Sequence, residues 1–242
     1  MRHLRSAIQF LTILPIGKVD EFQPRSTAAC FPLVGLILGC LLVLSDTLFA
    51  RLWPHSIATL LDVILLVILT GAFHIDGLGD SADGLYGRWP KEKALDIMKD
   101  SRIGTMALVA IVCTLAVKWA GLNAIIESRS INLLIIPAYA RSTSLFGFYF
   151  LPYGRPDGGT GHAFFNKSFR LKDFRYVIIP VVLSLFTGWR SIWLNLVFGL
   201  TLAVILGYYR KKMAGVTGDM LGAMVEITEA ILFLTAAIGG EL

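Results

Sequence analysis

Apolar residues in this chain run in blocks of roughly twenty, rather than in the three-to-four-residue beat of a soluble amphipathic helix. The blocks fall at 28–49, 57–73, 104–126, 131–150, 176–186, 192–209 and 221–238. They predict an all-α, polytopic integral membrane fold with about seven transmembrane helices in a single domain over 1–242. The fifth block is short, so it is tilted, re-entrant or extended at either end. Residues 2–14 are apolar but short and basic, without the small-residue cleavage site of a signal peptide, and read as an additional N-terminal interfacial helix.

Composition places the chain outside the soluble range, with 55% hydrophobic and 16% charged residues. Charge then sets the topology. With the N-terminus in the cytoplasm, 17 of the 22 basic residues fall on inside segments and three, Arg51, Arg129 and Arg190, fall outside. Lys118 and Arg141 lie within spans. So lopsided a split assigns the basic loops to the cytoplasm and makes the bilayer, not nucleic acid, the partner of the net charge of +5. Cys30, Cys40 and Cys113 fall within spans at no metal-ligand spacing and read as small apolar residues without a disulfide.

Chemistry concentrates at residues 73–87, directly after the second block. If helical, the segment puts Asp76, Asp80 and Asp83 on one narrow arc at the cytoplasmic membrane edge. Three crowded carboxylates ask for a positive partner, and a hard divalent cation such as Mg²⁺ is the usual one. Glycines 77, 79, 84 and 87 read as clearance for a phosphate or nucleotide to approach the backbone. Asp80, Asp83, Gly84, Gly87 and Arg88, followed by Asp96 and Asp100, resemble the signature of CDP-alcohol phosphatidyltransferases, membrane enzymes with two metal ions held by four aspartates. Gly87 stands in place of their usual Ala, Glu92 in place of their second Gly, and Pro90 interrupts the spacing.

Residues 98–105 open the third span. Asp100 or Ser101 reads as its cap, or the free N–H groups with Arg102 read as an anion site. Near the end, Asp219, Gly222, Glu226 and Glu229 fall at i, i+3, i+7 and i+10, an acidic, small-residue stripe on an otherwise apolar helix that must face protein or a polar cavity. Asp219 sits at the cytoplasmic end, able to meet the first cluster. Arg141, inside the fourth span, either pairs with a buried carboxylate or reaches a phosphate. His74 lies on the other side of its helix from Asp76 and reads as a positioning group. The turn-rich loop at 152–161 reads as a lid or a plain linker.

In series, Gln9-Phe10-Leu11-Thr12, Leu14-Pro15, the 73–87 motif, 98–105, Leu151-Pro152-Tyr153, Thr217-Gly218-Asp219, Leu221-Gly222-Ala223 and Glu226 resemble the cobalamin synthase (adenosylcobinamide-GDP ribazoletransferase) family over nearly the whole length. The resemblance implies that adenosylcobinamide-GDP is joined to α-ribazole or its 5′-phosphate, with release of GMP, by a Mg²⁺-dependent phosphotransferase of the cell inner membrane. It implies Asp76, Asp80, Asp83, Asp100 and Asp219 as catalytic and metal-binding residues. His74, Ser101, Arg102, Arg141, Thr217 and Glu226 are implied as substrate-binding. The number of metals, the general base and a homo-oligomeric state stay open. Two rivals remain: a phospholipid-forming CDP-alcohol phosphatidyltransferase, which would release CMP, and a secondary transporter, which would show midplane acids and internal repeats.

Overall fold

A computed structural model describes residues 2–17, 22–155, 158–159, 161–166 and 168–239. The described chain is helical; its β-type pairing is one isolated parallel bridge between Tyr153 and Val216. The helices are α1 (Arg2–Leu11), α2 (Pro24–Ala29), α3 (Phe31–Leu52), α4 (His55–Leu69), α5 (Phe73–Tyr86), α6 (Lys91–Ile97), α7 (Thr105–Ala124), α8 (Arg129–Phe150), α9 (Ile178–Ser184), α10 (Arg190–Met213) and α11 (Gly218–Ala236). Two 3-10 turns, His162–Phe165 and Leu171–Phe174, lie between α8 and α9.

Helices α3, α7 and α10 are long and apolar enough to cross a membrane, and α4 with α5 makes a fourth if the bent pair is one span. These mark the protein's membrane character. Helices α8 and α11 are of similar length, 22 and 19 residues, but face inward. Fourteen of the 19 residues of α11 are buried, so it is the central helix, packed on by α5, α7, α8 and α10. Length and hydropathy therefore support three or four spans rather than the expected seven. The fifth block is the clearest departure. It forms a short apolar helix ending at Thr187, and Gly188, at φ +64°, turns the chain out of it. Ten residues at 1.5 Å rise reach about 15 Å, half a bilayer core of about 30 Å.

The second block breaks as well. At Gly71 and Ala72 the backbone enters the left-handed region, φ +59° and +56°. The chain therefore turns 87° between α4 and α5. The amide of Ile13 caps the break by donating to the carbonyl of Leu69 at 2.9 Å. Helix α5 thus runs across the end of the bundle instead of continuing the span, and α1, packed on α3, lies beside it.

Helices α5 and α11 cross backbone to backbone. A Cβ on Gly77 would stand 2.7 Å from the carbonyl oxygen of Asp219, and one on Gly222 would stand 3.3 Å from the Cα of His74. The space beside Gly79 is taken by Ile111 and Ala107, and that beside Gly84 by Met98 and Ala94. Gly77, Gly79 and Gly84 therefore serve helix packing, a correction to their reading as clearance for a phosphate, while Gly87 makes room for the ring of Trp89. Gly77→Ala should lower the unfolding free energy by about 1–3 kcal/mol through overpacking. Gly222→Ala, with more room, should cost less. Thermal unfolding in detergent that ranked Gly222→Ala as the more damaging would contradict this crossing.

Candidate active site

The crossing brings the two acidic motifs together. Asp80, half-buried on α5, lies within electrostatic reach of Asp219, Asp76, Asp83 and Arg155. Arg155 donates from Nη2 to Asp219 Oδ2 at 2.6 Å, and their side chains are only 13% and 20% exposed. The loop that carries Arg155 is pinned to the chain before α11, where the amide of Gly154 donates to the carbonyl of Val216 at 2.9 Å. Thr217 caps α11 by accepting the Met220 amide at 3.2 Å, which fixes the turn that presents Asp219. Arg155 was not singled out by sequence reading; a basic residue directly after a Pro-Tyr-Gly turn carries no local mark of its partner. Residues 156–157 and 160 of that loop lie outside the described residues.

Asp83 has a second task. Its Oδ2 accepts the amide of Gly104 at 2.7 Å and its Oδ1 that of Ala107 at 2.9 Å, so it caps the start of α7 from another helix. Those N–H groups are therefore spent on Asp83, which corrects their reading as an anion site. Asp100 and Arg102 pair with each other, Nη2 to Oδ2 at 2.5 Å, and Arg102 is 87% exposed. The guanidinium holds the Asp100 carboxyl down to about 2. Ser101 is exposed in the same turn. The structure thus gathers Asp76, Asp80, Asp83 and Asp219, and leaves Asp100, Ser101 and Arg102 on the rim as a self-contained pair and turn.

Behind the cluster the interior is charged. Lys118 Nζ on α7 donates to Glu226 Oε2 at 2.6 Å and to Glu229 Oε2 at 2.5 Å, and Arg141 on α8 pairs with Glu229 Oε1. All four side chains are almost fully buried. Two cations meet two carboxylates, which is the arrangement that makes buried charge tolerable. Arg141 and Glu226, expected to bind substrate, are engaged in this network instead. His74 is 3% exposed, feels the charges of Arg141 and Lys118, and has no hydrogen-bond partner for Nδ1 among the described residues. Lys118 was the overlooked partner. A lysine inside an apolar span requires an acid at its own depth, and α11 supplies two.

Among the described residues no group of three or more His, Cys, Asp or Glu is drawn together closely enough to hold a metal ion. The chemistry of the donors fits a hard cation nonetheless. Asp76, Asp80 and Asp219 offer carboxylate oxygens, and Arg155 offsets only part of their charge. Asp83 has lone pairs beyond the two it spends on α7.

The family model for cobalamin-5-phosphate synthase matches residues 3–237. The chain belongs to the cobalamin-5-phosphate synthase family. Among relatives of this family, an adenosylcobinamide-GDP ribazoletransferase of Clostridium tetani is 34% identical over 236 residues, 94% of this chain and 92% of that one. One of Pseudomonas putida is 36% identical over 241 residues, 96% and 97% of the two chains. One of Alkaliphilus metalliredigens is 34% identical over 251 residues, 100% and 98%. No solved structure matches. The residues shared by the crossing, Asp76 to Asp83 and Thr217 to Glu226, all lie inside the segment that the cobalamin-5-phosphate synthase model covers.

The buried network makes its own prediction. Lys118→Met leaves two glutamates facing Arg141 alone and should destabilise by about 3–5 kcal/mol. Adding Glu226→Gln to Lys118→Met should restore much of the loss, because it restores neutrality. Melting temperatures that simply add for the two substitutions would contradict the coupling.

Proposed function

We propose that the protein joins adenosylcobinamide-GDP to α-ribazole or its 5′-phosphate, releasing GMP, at the cytoplasmic face of the cell inner membrane. The observation that carries this reading is the meeting of Asp76, Asp80, Asp83, Asp219 and Arg155 at one helix crossing, in a chain of this family. A pyrophosphate carries several negative charges, so carboxylates serve it only together with a cation. Asp76, Asp80 and Asp219 would hold Mg²⁺, with the spare lone pairs of Asp83 beside them. The ion, when bound, neutralises pyrophosphate oxygens and stabilises the leaving GMP.

The chain's own residues do the rest. Arg155 supplies a fork of N–H donors for phosphate oxygens, taking the part first expected of Arg102 and Arg141. Arg102 is turned to solvent and Arg141 is sealed in the interior. The ribose hydroxyl of the incoming nucleoside attacks the phosphorus attached to cobinamide, the P–O bond to GMP breaks, and a cluster carboxylate takes the hydroxyl proton. Asp83 and Thr217 hold the starts of α7 and α11 around this space.

The same geometry supports the membrane placement. Arg190, at the start of α10, bonds Glu127 and the carbonyls of Ile238 and Gly239, at the end of α11 away from Asp219. Phe174 packs on Tyr149, near the end of α8, with ring centroids 5.6 Å apart. The chain from 174 to 190 therefore joins opposite ends of the bundle, although α9 with its 3-10 extension reaches only about half a bilayer core as a helix. The acid cluster then lies at the end carrying the basic loops, which the positive-inside rule assigns to the cytoplasm. The CDP-alcohol reading loses ground, because Asp100, the last of its four aspartates, is engaged by Arg102 instead.

Protein in detergent, given adenosylcobinamide-GDP, α-ribazole 5′-phosphate and Mg²⁺, should release GMP, and chelation with EDTA should stop it. Release of CMP from a CDP-lipid would overturn the assignment. Asp80→Asn should cut turnover by orders of magnitude while the melting temperature holds or rises, since it removes one of several like charges. Asp100→Asn should lower turnover far less, about tenfold or under.

A further inference from the structure

A large polar cleft lies apart from the acid cluster. It measures about 650 Å³ and lies between α2 and the two 3-10 turns, with Arg25, Ser26, Asn166, Lys172, Asp173 and Arg175 among its walls. Three cations face one carboxylate there. That carboxylate is committed: Asp173 Oδ2 accepts from Arg25 Nε and from the Arg170 amide, each at 2.7 Å, and its side chain is 7% exposed. Asp173 therefore fixes the Arg25 guanidinium and offsets its charge, so the net positive charge of the cleft rests on Lys172 and Arg175. Lys172 and Arg175 remain exposed on the same wall.

The cleft also has an aromatic lining. Phe22 and Phe164 form it, with ring centroids 5.6 Å apart and edges to faces. Phe164 is buried, stacks on Phe148 at 5.1 Å and packs on Phe10 at 5.1 Å. Its other side faces a small cavity lined by His74, Gly218 and Gly222 at the α5–α11 crossing. One phenylalanine thus separates the basic cleft from the helix start that carries Asp219.

A basic rim on a membrane protein ordinarily meets lipid headgroups, but such a rim needs neither concavity nor an arginine locked by a buried aspartate. A volume of this size, lined by exposed cations and by an exposed aromatic ring, matches one ligand chemistry, a phosphomonoester joined to an aromatic base. We propose that this cleft holds the 5′-phosphate and base of the attacking nucleotide, with Lys172 and Arg175, beside the anchored Arg25, on the phosphate and the exposed ring of Phe22 against the base. The inference rests on the reaction proposed above and deepens it: the cleft selects the phosphorylated nucleoside over the free one and directs its ribose hydroxyl past Phe164 toward the acids.

The test compares kcat/KM for α-ribazole 5′-phosphate and for α-ribazole in the full-length protein, alongside direct calorimetric binding of each. In wild type the phosphorylated substrate should be preferred. Lys172→Ala with Arg175→Ala should cut that preference by about tenfold or more, mainly through KM, and Lys172→Glu alone should do the same. Equal losses for both substrates, or no loss, would overturn the subsite while leaving the reaction standing. Binding that favours the phosphorylated nucleoside without any GMP release would overturn the reaction and keep the subsite. The comparison is run in nanodiscs of phosphatidylcholine and of phosphatidylglycerol. A substitution effect confined to phosphatidylglycerol would assign the cleft to lipid headgroups and end the proposal.

Discussion

A helix with two glutamates cannot occupy the centre of a membrane bundle unless its charge is cancelled where it lies. Lys118 and Arg141 do this for Glu226 and Glu229. The cancellation ties three helices together, α7, α8 and α11, and fixes both the rotation and the height of α11. Any rotation that exposed the glutamates to lipid would unpair them at a cost of several kcal/mol. The position of Asp219, seven residues before Glu226, follows from that lock. The buried network is remote from the chemistry, yet it sets where one half of the acid cluster stands.

The other half depends on a bend and two glycines. Residues 71 and 72, in the left-handed region, swing α5 across the bundle end, and Gly77 and Gly222 let it meet α11 without side chains between them. A left-handed alanine is unfavourable by about 1–2 kcal/mol, and carboxylates crowded without a full complement of cations add to that cost. Both penalties fall at the same place. Local structure that works against stability is characteristic of a site whose ligand supplies what is missing, here positive charge.

Much of this was legible in the sequence, and the failures share a cause. The helical class, the arc of Asp76, Asp80 and Asp83, and the meeting with Asp219 follow from spacing and from which end of each span carries charge. Arg102 was read toward phosphate, and its carboxylate partner Asp100, two residues away, takes it instead. Arg141 was read toward either a buried carboxylate or a phosphate, and the structure gives it Glu229, eighty-eight residues on, a partner that spacing alone does not name. Asp83 shows the same limit from the other side. It lies on the correct arc, yet its two oxygens also cap a helix that begins twenty-one residues later. The fifth block was legible as short, and it is a ten-residue apolar helix that Gly188, in the left-handed region, ends; only its place in the count of full spans does not hold.

The two ends of the bundle divide the polar groups by their dependence on one another. At one end Arg129 and Arg190 have their acids: Arg129 with Asp46 and Asp62, Arg190 with Glu127. The interior network is likewise neutral. At the opposite end the balance is deliberately local and incomplete, with carboxylates in excess at the α5–α11 crossing and cations in excess in the cleft beside Phe164. Simple fold stability would be served by letting those groups pair. Two aromatic residues and a buried aspartate keep them apart instead, so that one surface retains adjoining patches of opposite sign. In the proposed reaction both partners carry phosphate, and that separation would give a cation-loaded acidic patch for the phosphate that reacts and a fixed basic patch for the phosphate that does not.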